Sequence, residues 1–187
     1  MQSPQPSRNS LKCEARINLG FIIDSSDSLV DSHPKVTAFM NLIITTYGRN
    51  GNMKLVNSTD VSSLKSNLSI PLMHTVGGLD KVLRQAQEVM LLPNSSMSVQ
   101  GARKVLVLLT DGSTRNLRTR EDPVDIADEL RQYGFKIIVV GIGTSVDTRE
   151  MAMVTGGSDK TFFVSQFDDL VDDDFVKAVQ LKTCLGM

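Results

Sequence analysis

Hydrophobic residues alternate along the chain between two spacings. Near-continuous apolar runs at Ile17–Ile23, Lys104–Leu109 and Phe135–Ile142 have the length and composition of strands buried on both faces. Shorter runs, Met53–Val56 and Thr161–Val164, read as further strands. Between them the apolar positions recur at helical spacing. In the stretch from Gly77 to Leu92, Leu79, Val82, Leu83, Ala86, Val89 and Met90 make one face of an amphipathic helix that Pro93 ends. Pro34 opens a helix over 35–47 that Gly48 stops, and Asp122-Pro123 opens one through Gln132 that Gly134 stops, an acidic cap followed by proline at the first helical position. A short helix over 147–154 and a final one over 167–181 complete the order.

Strands alternating with helices of this length form βαβ units. Their right-handed crossovers build a mainly parallel sheet covered on both faces, so the fold class is α/β, doubly wound. Ligands of such sheets bind beyond the carboxyl ends of the strands, which directs attention to the residues that follow each apolar run.

Two of those runs end in acids. After Ile23 comes Asp24-Ser-Ser-Asp-Ser28, in which Asp24, Ser26 and Ser28 stand at alternate positions; after Leu109 comes Thr110-Asp111-Gly112. A carboxylate and two hydroxyls at i, i+2 and i+4 leaving a strand can converge their oxygens on one point, and a second strand-end acid supplies what a hard cation of the Mg²⁺ type requires. The alternative for the first motif is a serine-rich turn in which Asp24 caps the next helix. Asp27 falls on the opposite side of the alternation and reads as a cap or a solvent-facing residue.

Composition narrows the field. With 187 residues, 41% hydrophobic and 22% charged, the chain is long enough for one well-covered core. Twenty basic and twenty-one acidic residues give a net charge of −1, which argues against a nucleic-acid or membrane partner held by overall charge. No run approaches the roughly 18 apolar residues of a membrane span. The polar, proline-containing start, Met1 to Ser10, reads as a disordered lead without the apolar core of a signal peptide.

The two motifs in this order resemble the metal-ion-dependent adhesion site (MIDAS) of the von Willebrand factor type A family, of which the integrin I-domain is the best-known relative. The resemblance runs from about Cys13 to Cys184, leaving residues 1–12 as the lead and 185–187 as a tail. It implies a Rossmann-like sheet and a Mg²⁺ ion, or Mn²⁺ or Ca²⁺, held by Asp24, Ser26, Ser28 and Asp111. The family adds a threonine from a glycine-rich segment opening a helix. Here that segment is Leu72-Met-His-Thr-Val-Gly-Gly78, and the ligand position falls either on Met73, whose thioether suits a hard cation poorly, or on Thr75 after a small loop shift.

The stretch between Tyr47 and Leu72 is shorter than the family pattern, which implies a truncated edge-strand region. The resemblance also implies a disulfide between Cys13 and Cys184, the only cysteines, and an extracellular, secreted setting. Three Asn-x-Ser/Thr sequons, at Asn57, Asn67 and Asn94, agree with glycosylation there. The implied function is adhesion or matrix interaction, with the metal taking an acidic side chain of a protein partner such as a matrix protein or collagen, without nucleic-acid binding or membrane insertion.

The competing class is a metal-dependent hydrolase built on the same strand-end acids. The chain has no Gly-x-Ser-x-Gly elbow and no Cys/His couple, and Ser26 stands where a phosphotransferase of the Asp-x-Asp type would need its second acid. His33 and His74 have no catalytic company. Gly141-Ile-Gly143 resembles half of a dinucleotide fingerprint but lacks the third glycine, Val146 standing there, so it reads as a tight strand-to-helix turn. Arg115, Arg118 and Arg120 read as a solvated loop able to steer an acidic ligand. The acids Asp168, Asp169 and Asp172–Asp174 read as charges favouring a helix start, because an EF-hand's glycine and terminal glutamate are missing.

Overall fold

A computed structural model describes residues 17–23, 32–45, 52–56, 79–91, 101–112 and 121–185. The order is β1 (Ile17–Ile23), α1 (His33–Thr45), β2 (Asn52–Val56), α2 (Leu79–Leu91), β3 (Arg103–Thr110), α3 (Pro123–Gln132), β4 (Phe135–Ile142), α4 (Thr148–Thr155), β5 (Thr161–Val164) and α5 (Asp173–Leu185). The strands form one sheet in the order β2-β1-β3-β4-β5, and every pairing is parallel. Of the stretch between Tyr47 and Leu72 where shortening is expected, only β2 is among the described residues. β2 itself pairs with β1 from Asn18–Asn52 to Ile22–Val56.

The continuous apolar runs are explained by burial on two faces. On one face Ile17, Leu19 and Phe21 of β1, Val105, Val107 and Leu109 of β3 and Ile138 and Val140 of β4 pack against Val36, Phe39 and Met40 of α1 and Val176 and Val179 of α5. On the other, Ile22, Leu106, Leu108, Ile137 and Val139 meet Leu83 and Ala86 of α2, Ile126, Ala127 and Leu130 of α3, and Met151 and Val154 of α4. Successive strand residues point to opposite faces, so a strand in the middle layer has no position left for a solvent-facing polar residue.

Caps fix where the helices start. Asp122 accepts from the Val124 amide at 2.9 Å, and Asp147 accepts from the amides of Arg149 and Glu150 at 2.9 and 3.1 Å. Across the outer face, Arg84 of α2 reaches Glu121 and Glu129 and donates to Gln87, tying α2 to α3. Arg84 and Gln87 hold the Glu129 carboxyl below the usual carboxylate range.

The segment expected as a single helix over 167–181 is two. A 3-10 helix at Phe167–Val171 ends at Asp172, whose side chain accepts from the amides of Asp174 and Phe175 at 3.1 and 3.0 Å and starts α5 afresh, and α5 runs on to Leu185. The acids divide the same way. Asp169 accepts from the Gln166 amide at 3.2 Å, while Asp168 pairs with Lys35 at 2.8 Å on the surface. They serve as caps and surface charges, and among the described residues no group of three or more His, Cys, Asp or Glu is placed to hold a metal.

Glycines set the turns above the sheet. Gly141 sits opposite Phe163 of β5, and a Cβ there would lie 2.6 Å from the Phe163 ring, so this glycine permits close strand-to-ring contact; Gly143 turns the chain with φ 83°. Together they account for the Gly-x-Gly run without a dinucleotide. Gly112 follows β3 with φ 76°, and a Cβ on it would lie 2.6 Å from the Ser145 carbonyl oxygen and 2.7 Å from the Val146 Cα. The turn after β3 is therefore pressed against the backbone of the loop after β4.

Two stability effects follow. Asp172→Ala removes the α5 cap and is expected to lower unfolding free energy by about 1 kcal/mol in urea denaturation. Asp168→Ala, which loses only an exposed ion pair, should change it by less than about 0.5 kcal/mol. Gly112→Ala and Gly134→Ala both place a side chain at positive φ, but Gly134 has open space around its would-be Cβ. Gly134→Ala should cost about 1 kcal/mol and Gly112→Ala roughly 2 kcal/mol or more, the excess measuring the contact with Ser145.

Candidate metal centre at the switch point

The sheet order reverses direction once. From β1 the chain passes through α1 on one face to β2, then returns through α2 on the other face to β3, on the opposite side of β1. The carboxyl ends of β1 and β3 thus flank the crevice where doubly wound sheets take their ligands. Their register brings the ends of β1 and β3 level: Ile23, the residue before Asp24 in sequence, is paired with Leu109, two residues before Asp111.

Asp111 leaves β3 as the sheet ends and is 9% exposed. It is held from both sides in sequence. Thr110, 3% exposed, accepts from the Gly112 amide through Oγ1 at 3.1 Å, closing a tight turn around the aspartate, and Gly112 is pinned under Ser145 and Val146. A carboxylate on such a turn loses little conformational freedom on binding, which is what a metal ligand requires. The Thr-Asp-Gly motif announced the acid. The loop after β4 that locks it in place carries no local sequence signal, because the contact is backbone to backbone.

The other expected ligands, Asp24, Ser26, Ser28 and Thr75, lie outside the described residues, as do Met73, His74, Asp27, Arg115, Arg118 and Arg120, and the sequon residues Asn57, Asn67 and Asn94. Cys13 lies outside them too. Cys184 is in the last turn of α5, 7% exposed and part of the core against β1, and its carbonyl accepts from the Arg103 guanidinium at 2.9 Å. His33 is the first residue of α1.

The comparisons with known proteins agree with this architecture. The chain is 40% identical over 70 residues to the collagen alpha-6(VI) chain of Mus musculus, covering 37% of this chain and 3% of that one. It is 29% identical over 92 residues to the collagen alpha-5(VI) chain of Homo sapiens, covering 49% and 3%. The matched stretch is thus a small fraction of each collagen. Proximal thread matrix protein 1 from the mussel byssus shares the fold with a TM-score of 0.80 at 14% identity, over 92% of this chain and 49% of that one. The same protein has been solved with a zinc-occupied MIDAS motif, at TM-score 0.68, 18% identity and coverage of 92% and 47%. Manganese-loaded TRAP protein of Plasmodium vivax aligns at TM-score 0.57 and 16% identity, over 88% and 74%. The family model of the von Willebrand factor type A domain matches residues 50–174, and the chain belongs to that family.

Proposed function

We propose that this chain is a non-enzymatic adhesion module of the extracellular matrix, which binds an acidic side chain of a protein partner, such as a matrix protein or collagen, through a divalent cation above β1 and β3. The observation that carries the reading is the register of the two central strands. Ile23 and Leu109 are paired on strands about 4.8 Å apart, and Asp24 follows the first by one residue and Asp111 the second by two, a sequence distance that supports both acids serving one ion.

The donors fit a hard cation. Asp24 and Asp111 bring carboxylates, Ser26 and Ser28 hydroxyls, and Thr75 a further hydroxyl if its loop reaches the ion, an all-oxygen set suited to Mg²⁺, Mn²⁺ or Ca²⁺. When bound, such an ion offers a coordination position that accepts a carboxylate oxygen from outside. The chain's own part is to hold Asp111 rigid on the Gly112 turn and to keep most other donors neutral, so that the site stays electrophilic. Solved relatives carrying zinc and manganese support a divalent cation, and the collagen relatives support a matrix setting.

We also propose that Cys13 and Cys184 close residues 13–184 into one disulfide-bounded domain. Among the described residues no cysteine is free. Cys184 is tied through its carbonyl to Arg103, which is paired with Ile17, and Cys13 is four residues before Ile17. That stretch spans at most about 14 Å when extended. In the chain-entropy model a loop of this length removes about 5 kcal/mol from the unfolded state.

Calorimetric titration of Mg²⁺ and Mn²⁺ into chelator-treated protein tests the metal. Asp111→Ala should weaken binding by roughly tenfold or more while its urea midpoint stays near the parent's. An Asp111→Ala variant that binds like the parent, or a parent that binds neither ion, overturns the reading. Met73→Thr and Thr75→Ala decide which residue supplies the hydroxyl: a gain from the first with no loss from the second places it at 73, and the reverse places it at 75. Thiol titration of the unfolded, unreduced protein should find no reactive cysteine; two would remove the disulfide.

A further inference from the structure

Two strands away from the Asp111 turn stands an aromatic ring that neither packed face of the sheet absorbs. Phe163, in β5, is 40% exposed and belongs to neither core cluster. Its neighbour Phe162 packs on the α5 side and meets the Phe175 ring edge to face, with centroids 6.3 Å apart. Alternation therefore turns Phe163 to the α4 side, where β4 places Gly141 opposite it. A Cβ on Gly141 would lie 2.6 Å from Cδ1 of the ring, 2.7 Å from Cε1 and 3.0 Å from Cγ1 of Val146. Ring and methyl meet in the space that a side chain at 141 would fill.

Val146 carries the contact on toward the metal centre. It is buried, and its Cα lies 2.7 Å from the point that a Cβ on Gly112 would occupy. Gly112 follows Asp111, and its amide donates to Thr110 Oγ1 at 3.1 Å, closing the turn that presents the carboxylate. Thr110, Gly141 and Phe163 stand level across three strands, so the turn and the ring are two strand spacings apart, about 10 Å. The loop between them is fixed at both ends. The Gly143 amide donates to the Val164 carbonyl at 2.8 Å, and Asp147 caps α4. Between those anchors Thr144 and Ser145 are exposed, and Val146 meets both the Phe163 ring and Gly112.

We infer, on the metal reading proposed above, that Phe163 is a positioning residue of the metal centre: through Val146 its ring holds Gly112, and with it Asp111, in the conformation that binds the ion. A ligand carboxylate gains affinity from a rigid support, and supports outside the coordination sphere are worth about tenfold or more in metal affinity. The usual support is a hydrogen bond. Here neither Gly141 nor Gly112 brings a side chain to fill the corner, so the ring and the Val146 methyl supply the packing. Removing the ring leaves a gap into which Val146 can relax, and the backbone over Gly112 relaxes with it. Because the ring is already partly in water, its loss costs the core little. Its effect on the metal is thereby separable from its effect on stability. Met153 of α4, 45% exposed, provides the comparison, an apolar side chain of similar exposure outside the row from Phe163 to Gly112.

Calorimetric titration of Mg²⁺ into the full, chelator-treated chain reads the effect. Phe163→Ala should weaken binding roughly tenfold, and Phe163→Tyr, which keeps the ring, should bind as the parent does. Met153→Ala should change the affinity by less than about twofold. Gly141→Ala, whose methyl displaces the ring, should weaken binding in the parent background and add little once Phe163→Ala is present. A second measurement needs no metal. Amide exchange followed by NMR in chelator should show the Gly112 amide opening faster in Phe163→Ala than in the parent or in Phe163→Tyr, while the Leu106 and Leu108 amides of β3 stay protected. A parent that binds neither Mg²⁺ nor Mn²⁺ removes the metal reading and this inference with it. A parent that binds Mg²⁺ while Phe163→Ala binds equally, or a Gly112 amide whose exchange does not change, overturns the inference and leaves the metal reading standing.

Discussion

The proposed metal site depends on the parallel pairing of β1 with β3. Seven register pairs, from Ile17–Arg103 to Ile23–Leu109, join strands distant in sequence and place their carboxyl ends side by side. A slip of one residue would turn Leu19 and Phe21 from the α1 face to the α2 face and move the two acids out of step. The cores on both faces forbid that slip, since each strand residue already has a filled place. Hydrophobic packing therefore fixes the strand ends on which the proposed polar site rests, without contributing an atom to it.

The same layout divides the molecule into two electrostatic poles. Strand ends and helix starts meet at the Asp111 pole, and helix ends and strand starts meet at the pole of Arg103, Lys136, Lys160 and Lys182. Basic side chains at the second pole answer the carbonyls that α4 and α5 leave unpaired. A carboxylate at the first stands where helix dipoles present their positive ends. Neither arrangement is visible in a net charge of −1.

Much of this was legible in the residues, and the exceptions have a common cause. The strands were readable because burial on both faces leaves uninterrupted apolar runs, and α3 was readable because Asp122-Pro123 and Gly134 punctuate it locally. Asp111 was readable for the same reason, as an acid in a Thr-Asp-Gly turn after a buried strand. The break at Asp172 was hidden because it lies inside an acidic run while Phe167, Leu170, Val176 and Val179 continue an apolar pattern across it. The pinning of Gly112 by Ser145, the fit of Gly141 under Phe163, and the gathering of cations around Lys136 depend on contacts between segments far apart in sequence. No local pattern encodes them. The family resemblance supplied what local reading lacked at the switch point, by linking two motifs that the chain keeps far apart.

The order of strands in the sheet has a kinetic side. β1 is made first, yet its partner β3 begins only at Arg103, and β1 must wait for it with an apolar face on each side. Until then its neighbour among the described strands is β2, which cannot cover those faces. Such long-range parallel pairings form slowly, and a segment like Gly20-Phe-Ile-Ile23 held open during synthesis is prone to pair with another copy of itself. The interior position that makes β1 the foundation of the proposed site also leaves it open to such pairing while the chain is incomplete.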